Sequence, residues 1–221
     1  MPFIYIVAES EADALFYIAC AERIHGTAFD FKFYDTRRGT GIARARRMLR
    51  YMFAAVEQAS GGGPGIFWIA ALDNDRAPQH PDGARPPGTL SAFDRCKASR
   101  HAELQAEASK HVVSAPGAIA VPVEMIESWV LQSLSTGVVL DLPAFAEQTA
   151  PLAIIYYQVN HRATPPPQLK DLARAAMQQH GHQDWTEFLI HLAGSLDANL
   201  LAHQSRSFAQ FHQALASWQL T

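Results

Sequence analysis

The chain has 221 residues, of which 48% are hydrophobic and only 18% charged, so it can build a sizeable core and is not dominated by disorder. Lys and Arg number 18 against 21 Asp and Glu, a formal net charge of −3 that argues against a general polybasic coat and leaves a local basic groove open. Cys20 and Cys96 make no disulfide framework and no CxxC pair, the start MPFIYIVAESEADALF lacks a basic leader, and no apolar run nears the roughly 20 residues of a bilayer span; a cytoplasmic protein without a membrane partner is expected.

Phe3 to Val7 is aromatic and β-branched and predicts a buried strand. Ser10 is a candidate N-cap with Asp13 at the third helical position, and apolar residues then recur at helical spacing up to Gly26. Ala28 to Tyr34 alternates and predicts a second strand. The basic turn Arg37-Arg38-Gly39-Thr40-Gly41 leads into a predicted helix over Ile42 to Ala59, whose Arg44, Arg46, Arg47 and Arg50 lie mostly on one side. A glycine-rich break precedes Ile66 to Leu72, an apolar run suited to a central strand covered on both faces.

Arg76 to Gly88 is proline-rich and reads as a surface loop. Thr89 to Ser109 reads as helix, and His111 to Ser114 and Ala118 to Val121 as short extended segments. After Pro122 the pattern turns helical: 123–133, 142–148, 152–159, 169–179, 185–194 and 206–218, with Pro165-Pro166-Pro167 opening one helix. The plan is an α/β domain over 1–122, a parallel sheet flanked by helices, with a helical half over 123–221 packed on it.

The acids fall where such a fold binds ligands. Glu9 follows the first strand and Asp73 and Asp75 follow the apolar strand, so all three should meet at the carboxyl edge of the sheet. Asp13 is one helical turn beyond Glu9. Two like charges about 4 Å apart repel by about 4 kcal/mol at an effective dielectric of about 20. Such crowding asks for protonation or for a cation, and oxygen donors select Mg²⁺ or Mn²⁺. The bland alternative is that these acids are helix caps and turn residues.

Val7-Ala8-Glu9-Ser10-Glu11-Ala12-Asp13 resembles the E-G-x-x-D element of Toprim domains, the fold of topoisomerases, primases and OLD-type nucleases, with Ser10 in the glycine's place. Leu72-Asp73-Asn74-Asp75 resembles their D-x-D element. Val121-Pro122-Val123-Glu124-Met125-Ile126-Glu127-Ser128-Trp129-Val130-Leu131 resembles the IEAWLL segment of small stand-alone Toprim-like bacterial proteins, many of them associated with defence or mobile-element neighbourhoods. Pro167-Gln168-Leu169-Lys170 and Ser205-Arg206-Ser207-Phe208-Ala209-Gln210-Phe211 resemble that group's proline-lysine helix start and its closing S-F-x-x-F helix.

The resemblance implies a Toprim-like fold and Mg²⁺-dependent cleavage of nucleic-acid phosphodiesters, DNA or RNA. It implies Glu9 as general acid/base or metal ligand, Asp73 and Asp75 as metal ligands, and Asp13 as an assistant to the metal or an organiser of its helix. Glu127 is a candidate further ligand or a buried, paired glutamate beside Trp129. The alternative function is a non-catalytic Toprim-like binding module or subunit that works with a partner such as an ATPase.

Other residues invite chemistry. Arg37 and Arg38 could hold a phosphate backbone, and Lys170 could stabilise transition-state charge; solvated surface cations are the plain alternative. His180, His182 and His191 suggest zinc but lack a full set of well-spaced ligands. Cys20 sits on the apolar side of its helix, as a buried inert thiol would. The Gly61 to Gly65 run lacks the G-K-[ST] of a phosphate loop and precedes a strand, which argues against ATP hydrolysis by this chain.

Overall fold

A computed structural model describes residues 1–36, 42–61, 65–73, 100–111, 114–122, 126–134 and 169–220. Strand β1, Phe3–Ala8, opens the chain and is followed by helix α1, Glu11–His25. Ser10 caps α1 as expected: its Oγ accepts the Asp13 N–H at 3.1 Å. The helix stops at Gly26, whose φ of 64° is the left-handed conformation that glycine adopts without a Cβ penalty. Glu22 Oε1 accepts the Phe29 N–H at 3.1 Å and ties this turn to β2, Asp30–Asp35.

Helix α2, Ile42–Ser60, leads to β3, Ile66–Ala71; α3, Arg100–Ala108, leads to β4, Gly117–Ala120. The sheet order is β2-β1-β3-β4 and every neighbouring pair is parallel. Val7 lies beside Tyr34 on one side and Ala70 on the other, and Ala70 lies beside Ile119 in turn, so β1 and β3 are both interior strands. That is why their runs are apolar on both faces. A Cβ at Gly117 would run into the Trp68 indole, so the ring lies across the neighbouring strand where only glycine leaves room.

The two faces carry different layers. Ile4, Ile6, Phe67, Ile69, Ala118 and Ala120 face a core shared with α1 and with helices of the second half. These are α4, Ile126–Leu134; α5, Leu169–Gln179; α6, Trp185–Ser195; α7, Ala198–Gln204; and α8, Arg206–Ala216. Val7, Ala70 and Leu72 face Leu49, Met52, Phe53 and Val56 of α2 and Leu104 of α3. Period-two alternation along each strand produces this division.

The expected strands and most expected helices form, with three differences. Helix α7 was not anticipated; Asp197 caps it by accepting the Leu200 N–H, and Ser205 both ends it and caps α8. Neither His111 nor Ser114 lies in a strand. Helix α1 is buried over a wide arc, at Phe16, Tyr17 and Cys20 as well as Ala14, Ile18 and Ala21. Both the sheet and the second-half helices cover it, so a single apolar stripe describes it poorly. The expected loop over 76–88, the start of the helix at 89–99, the helices at 142–148 and 152–159, Pro165 to Pro167 and Cys96 lie outside the described residues.

The basic side of α2 meets acids. Arg46 lies 3.7 Å from Glu103, and Arg50 donates to Glu107 Oε1 at 3.0 Å. For these two arginines the plain reading, a charged helix face matched by acidic neighbours, holds. Among the described residues no helix is long and apolar enough to cross a membrane.

Candidate functional site

From β1 the chain crosses first to β2 on one side and later to β3 on the other, so the connections diverge between β1 and β3. In a parallel open sheet this is where a crevice forms at the carboxyl edge. Glu9 leaves β1 there, and Asp73 leaves β3 one residue beyond Leu72. Leu72 still pairs with the sheet, its N–H donating to Ala120 O at 3.1 Å, so Asp73 is the first residue past the ladder.

The two acids meet. The Asp73 N–H donates to Glu9 Oε1 at 3.1 Å, and the Ile126 N–H donates to Asp73 Oδ1 at 3.1 Å. Ile126 is the first residue of α4, whose leading N–H groups have no partner within the helix. Asp73 thus serves as a cap supplied from another element, and the positive end of the helix dipole favours its negative charge. The catalytic and capping readings describe the same side chain.

Around this pair a pocket of about 390 Å³ opens to solvent. Glu9, Ser10, Asp13 and Asp73 line it with Ile126 and Glu127; Arg174 and Trp185 complete the lining. Glu127 is buried in the first turn of α4, two residues before the fully buried Trp129. Both open readings of this glutamate therefore keep their basis: it is buried and it lines the pocket. Helix α5 packs on α4 and α6 packs on α1, which brings Arg174 and Trp185 to the acids.

Tyr17 lies beneath the carboxylates, one turn after Asp13 on α1. Burial pushes its phenol well above the ordinary tyrosine value, and the charges of Asp73, Asp13 and Glu9 add to the effect. The phenol therefore stays neutral. Its ring packs edge-on against Trp129 at 6.0 Å and Phe211 at 5.4 Å, so this part of α1 is joined to α4 and α8.

Of the residues expected at the site, Glu9, Asp13, Asp73 and Glu127 line one pocket, and Glu9 and Asp73 are joined by a hydrogen bond. Asp75, Arg37 and Arg38 lie outside the described residues, as does the side chain of Lys170, although Lys170 itself lies in α5. Arg174, Trp185 and Tyr17 were not anticipated. A usable signal existed for Arg174: it follows Lys170 by four residues and so shares its side of α5. Trp185 directly follows the cap Asp184 and is the first residue of α6.

The remaining candidates resolve differently. Burial pushes the Cys20 thiol well above its ordinary value, which fits the inert reading. His25 Nε2 lies 3.0 Å from Leu215 O and its ring stacks on Trp218, so this histidine fastens α1 to the end of α8. The rings of His182 and His191 are 4.9 Å apart. Among the described residues no three His, Cys, Asp or Glu side chains are grouped so as to hold an ion. The pocket acids are nonetheless a purely carboxylate donor set, which suits a hard cation rather than zinc.

No family model, curated protein or solved structure matches the chain.

Proposed function

We propose that the chain is a Mg²⁺-dependent enzyme that cleaves nucleic-acid phosphodiesters with a Toprim-type acidic site. The observation that carries this reading is the joining of Glu9 and Asp73, from the ends of adjacent parallel strands, in one open pocket. Sixty-four positions separate them, yet they are linked by a hydrogen bond. Asp73, with Asp75, would hold the ion, and Glu9, Asp13 and Glu127 line the same pocket. Bound there, Mg²⁺ or Mn²⁺ would neutralise the carboxylates and make water more acidic.

The chain's own groups divide the remaining tasks. Glu9 accepts a proton from the attacking water as the water oxygen bonds to phosphorus. The bond from phosphorus to the leaving oxygen breaks, and that oxygen takes a proton from solvent. The Asp73 N–H holds Glu9 Oε1 in place, and the α4 N-terminus holds Asp73. Arg37, Arg38 and Lys170 are proposed as contacts to the nucleic-acid backbone. A cytoplasmic setting accompanies this proposal.

The alternative has its own support: Glu9 and Asp73 both accept backbone N–H groups, as acids retained for architecture would. A non-catalytic binding module acting with a partner such as an ATPase would keep them for that reason. Purified protein is to be assayed on plasmid DNA and on RNA across Mg²⁺, Mn²⁺ and EDTA. Glu9→Gln should lower the metal-dependent rate by about two to four powers of ten. Asp73→Asn should abolish it while keeping an oxygen for the Ile126 N–H; Asp73→Ala would also lose the cap, at about 1 kcal/mol. No metal-dependent cleavage of either nucleic acid would replace this reading with the binding module. Cleavage that survives both substitutions would move the site elsewhere.

A further inference from the structure

The pocket lining has two unlike sets of groups. Carboxylates form one, and Arg174 of α5 and Trp185 of α6 form the other. A cationic ligand would suit the acids and the indole, but the guanidinium would repel it. A neutral apolar ligand would leave both kinds of charge unanswered. A phosphorylated aromatic group answers every element: phosphate for the guanidinium and for a cation held by the acids, and a flat ring for the indole.

We propose that Arg174 and Trp185 form a nucleotide-gripping pair, the guanidinium taking a phosphate and the indole stacking an unpaired base, so that the substrate is single-stranded nucleic acid. This rests on the reading of the acidic groups as a phosphodiester site. Two features favour a single strand over a duplex. The volume of about 390 Å³ lies near the small end of ligand pockets and suits one nucleotide-sized group. A paired base is covered on both faces by its neighbours, whereas an unpaired one can be turned out onto an aromatic platform.

Trp185 is built as a platform. It is partly buried, packed on the core, with its ring centre 5.7 Å from that of Phe188 at an interplanar angle of 47°. One side of the indole is thereby braced while it also borders the pocket. It is held at the mouth of α6 by the cap in which Asp184 Oδ1 accepts the Glu187 N–H at 2.9 Å. Arg174 is exposed on α5, and its planar fork can meet two phosphate oxygens at once.

The test uses the full chain with Ca²⁺, a hard cation of the same charge. Fluorescence anisotropy would follow a labelled oligothymidine, an abasic strand of the same length, and a hairpin duplex. The oligothymidine should bind at least about tenfold tighter than the duplex, and removing its bases should weaken it about ten- to a hundredfold. Trp185→Ala should cause a similar loss on the oligothymidine and no further loss on the abasic strand, and Trp185→Phe should recover most of it. Arg174→Ala should weaken every strand and reduce the salt slope by about one contact. Equal affinity for duplex and single strand overturns the inference, as does a Trp185→Ala loss of the same size on the abasic strand. Metal-dependent duplex cleavage that needs Asp73 but ignores Trp185 would sink this inference alone. Absence of any nucleic-acid binding would sink it together with the enzymatic reading.

Discussion

At Tyr17, burial and neighbouring charge act on one side chain. It is 2% exposed and lies in the field of Asp73, Asp13 and Glu9. Burial and those charges hold its folded pKa well above the ordinary value of 10.0. Below about pH 10 both folded and unfolded chains keep the proton, so nothing is lost. Above it the unfolded chain gives up its proton first, and stability falls as pH rises, by up to about 1.4 kcal/mol per pH unit for one group. Tyr17→Phe should therefore flatten the alkaline limb of a stability-against-pH curve measured by denaturant unfolding. An unchanged slope above pH 10 would mean that the phenol is not held neutral. A neutral phenol under the carboxylates also matters for function, because it adds no charge to a crowded site.

At the scale of elements, α2 and α3 are joined through Glu107, which is 2% exposed. Burial alone would raise its carboxyl, but hydrogen bonds from Lys110 at 2.7 Å and Arg50 at 3.0 Å, with their charges, outweigh burial and hold it below the usual glutamate value. A lowered folded pKa contributes stability that is present above the unfolded value and is lost as pH falls through the folded one. The loss should begin below about pH 4. Glu107→Gln should be less stable than the parent at pH 7, and the gap should narrow on acidification, as read from paired urea melts. A gap that stays constant from pH 7 to pH 3 would contradict the ion-paired account.

The same scale shows what was legible in the sequence. Strands β1 and β3 were readable because central parallel strands are apolar throughout, and α1 announced its start through Ser10 and Asp13. The meeting of Glu9 with Asp73 followed from their shared place after strand ends. Helix α7 was not readable because its seven residues are too short for a clear period and its cap Asp197 follows α6 at once. Arg174 and Trp185 were missed for another reason. The four-residue spacing from Lys170 marks the side of α5 on which Arg174 lies, but which helices α5 and α6 dock on, α4 and α1, is a tertiary fact that this spacing does not encode. The capping of α4 by Asp73 was hidden likewise, since donor and acceptor are 53 positions apart.

For the whole molecule, the question is whether the α/β part and the helical part stand alone. One continuous apolar cluster runs from Ile4 of β1 through Trp129 of α4 and Phe211 of α8 to Trp218. Trp218 stacks on Phe67 of β3 at 4.6 Å and lies edge-on to Phe29 at 6.2 Å, so a residue near the end of the chain closes the face of the sheet. Trp129 fixes the same layer from above, its indole N–H donating to Ser207 Oγ at 2.8 Å. A half-sheet stripped of this layer would expose Ile4, Ile6, Phe67 and Ile69 to water, at about 1.5–3 kcal/mol for each large side chain uncovered. The two parts should therefore unfold together. Far-ultraviolet dichroism, which reads helices, and near-ultraviolet dichroism, which reads the packed aromatics, should give one coincident denaturant transition. Trp218→Ala, a truncation typically costing about 3–5 kcal/mol, should move both signals to lower denaturant by the same amount without separating them. Separation of the two curves, in the parent or in the variant, would mean that the helical half is an independent unit and that the acidic pocket, built from both parts, lies across a joint that can open.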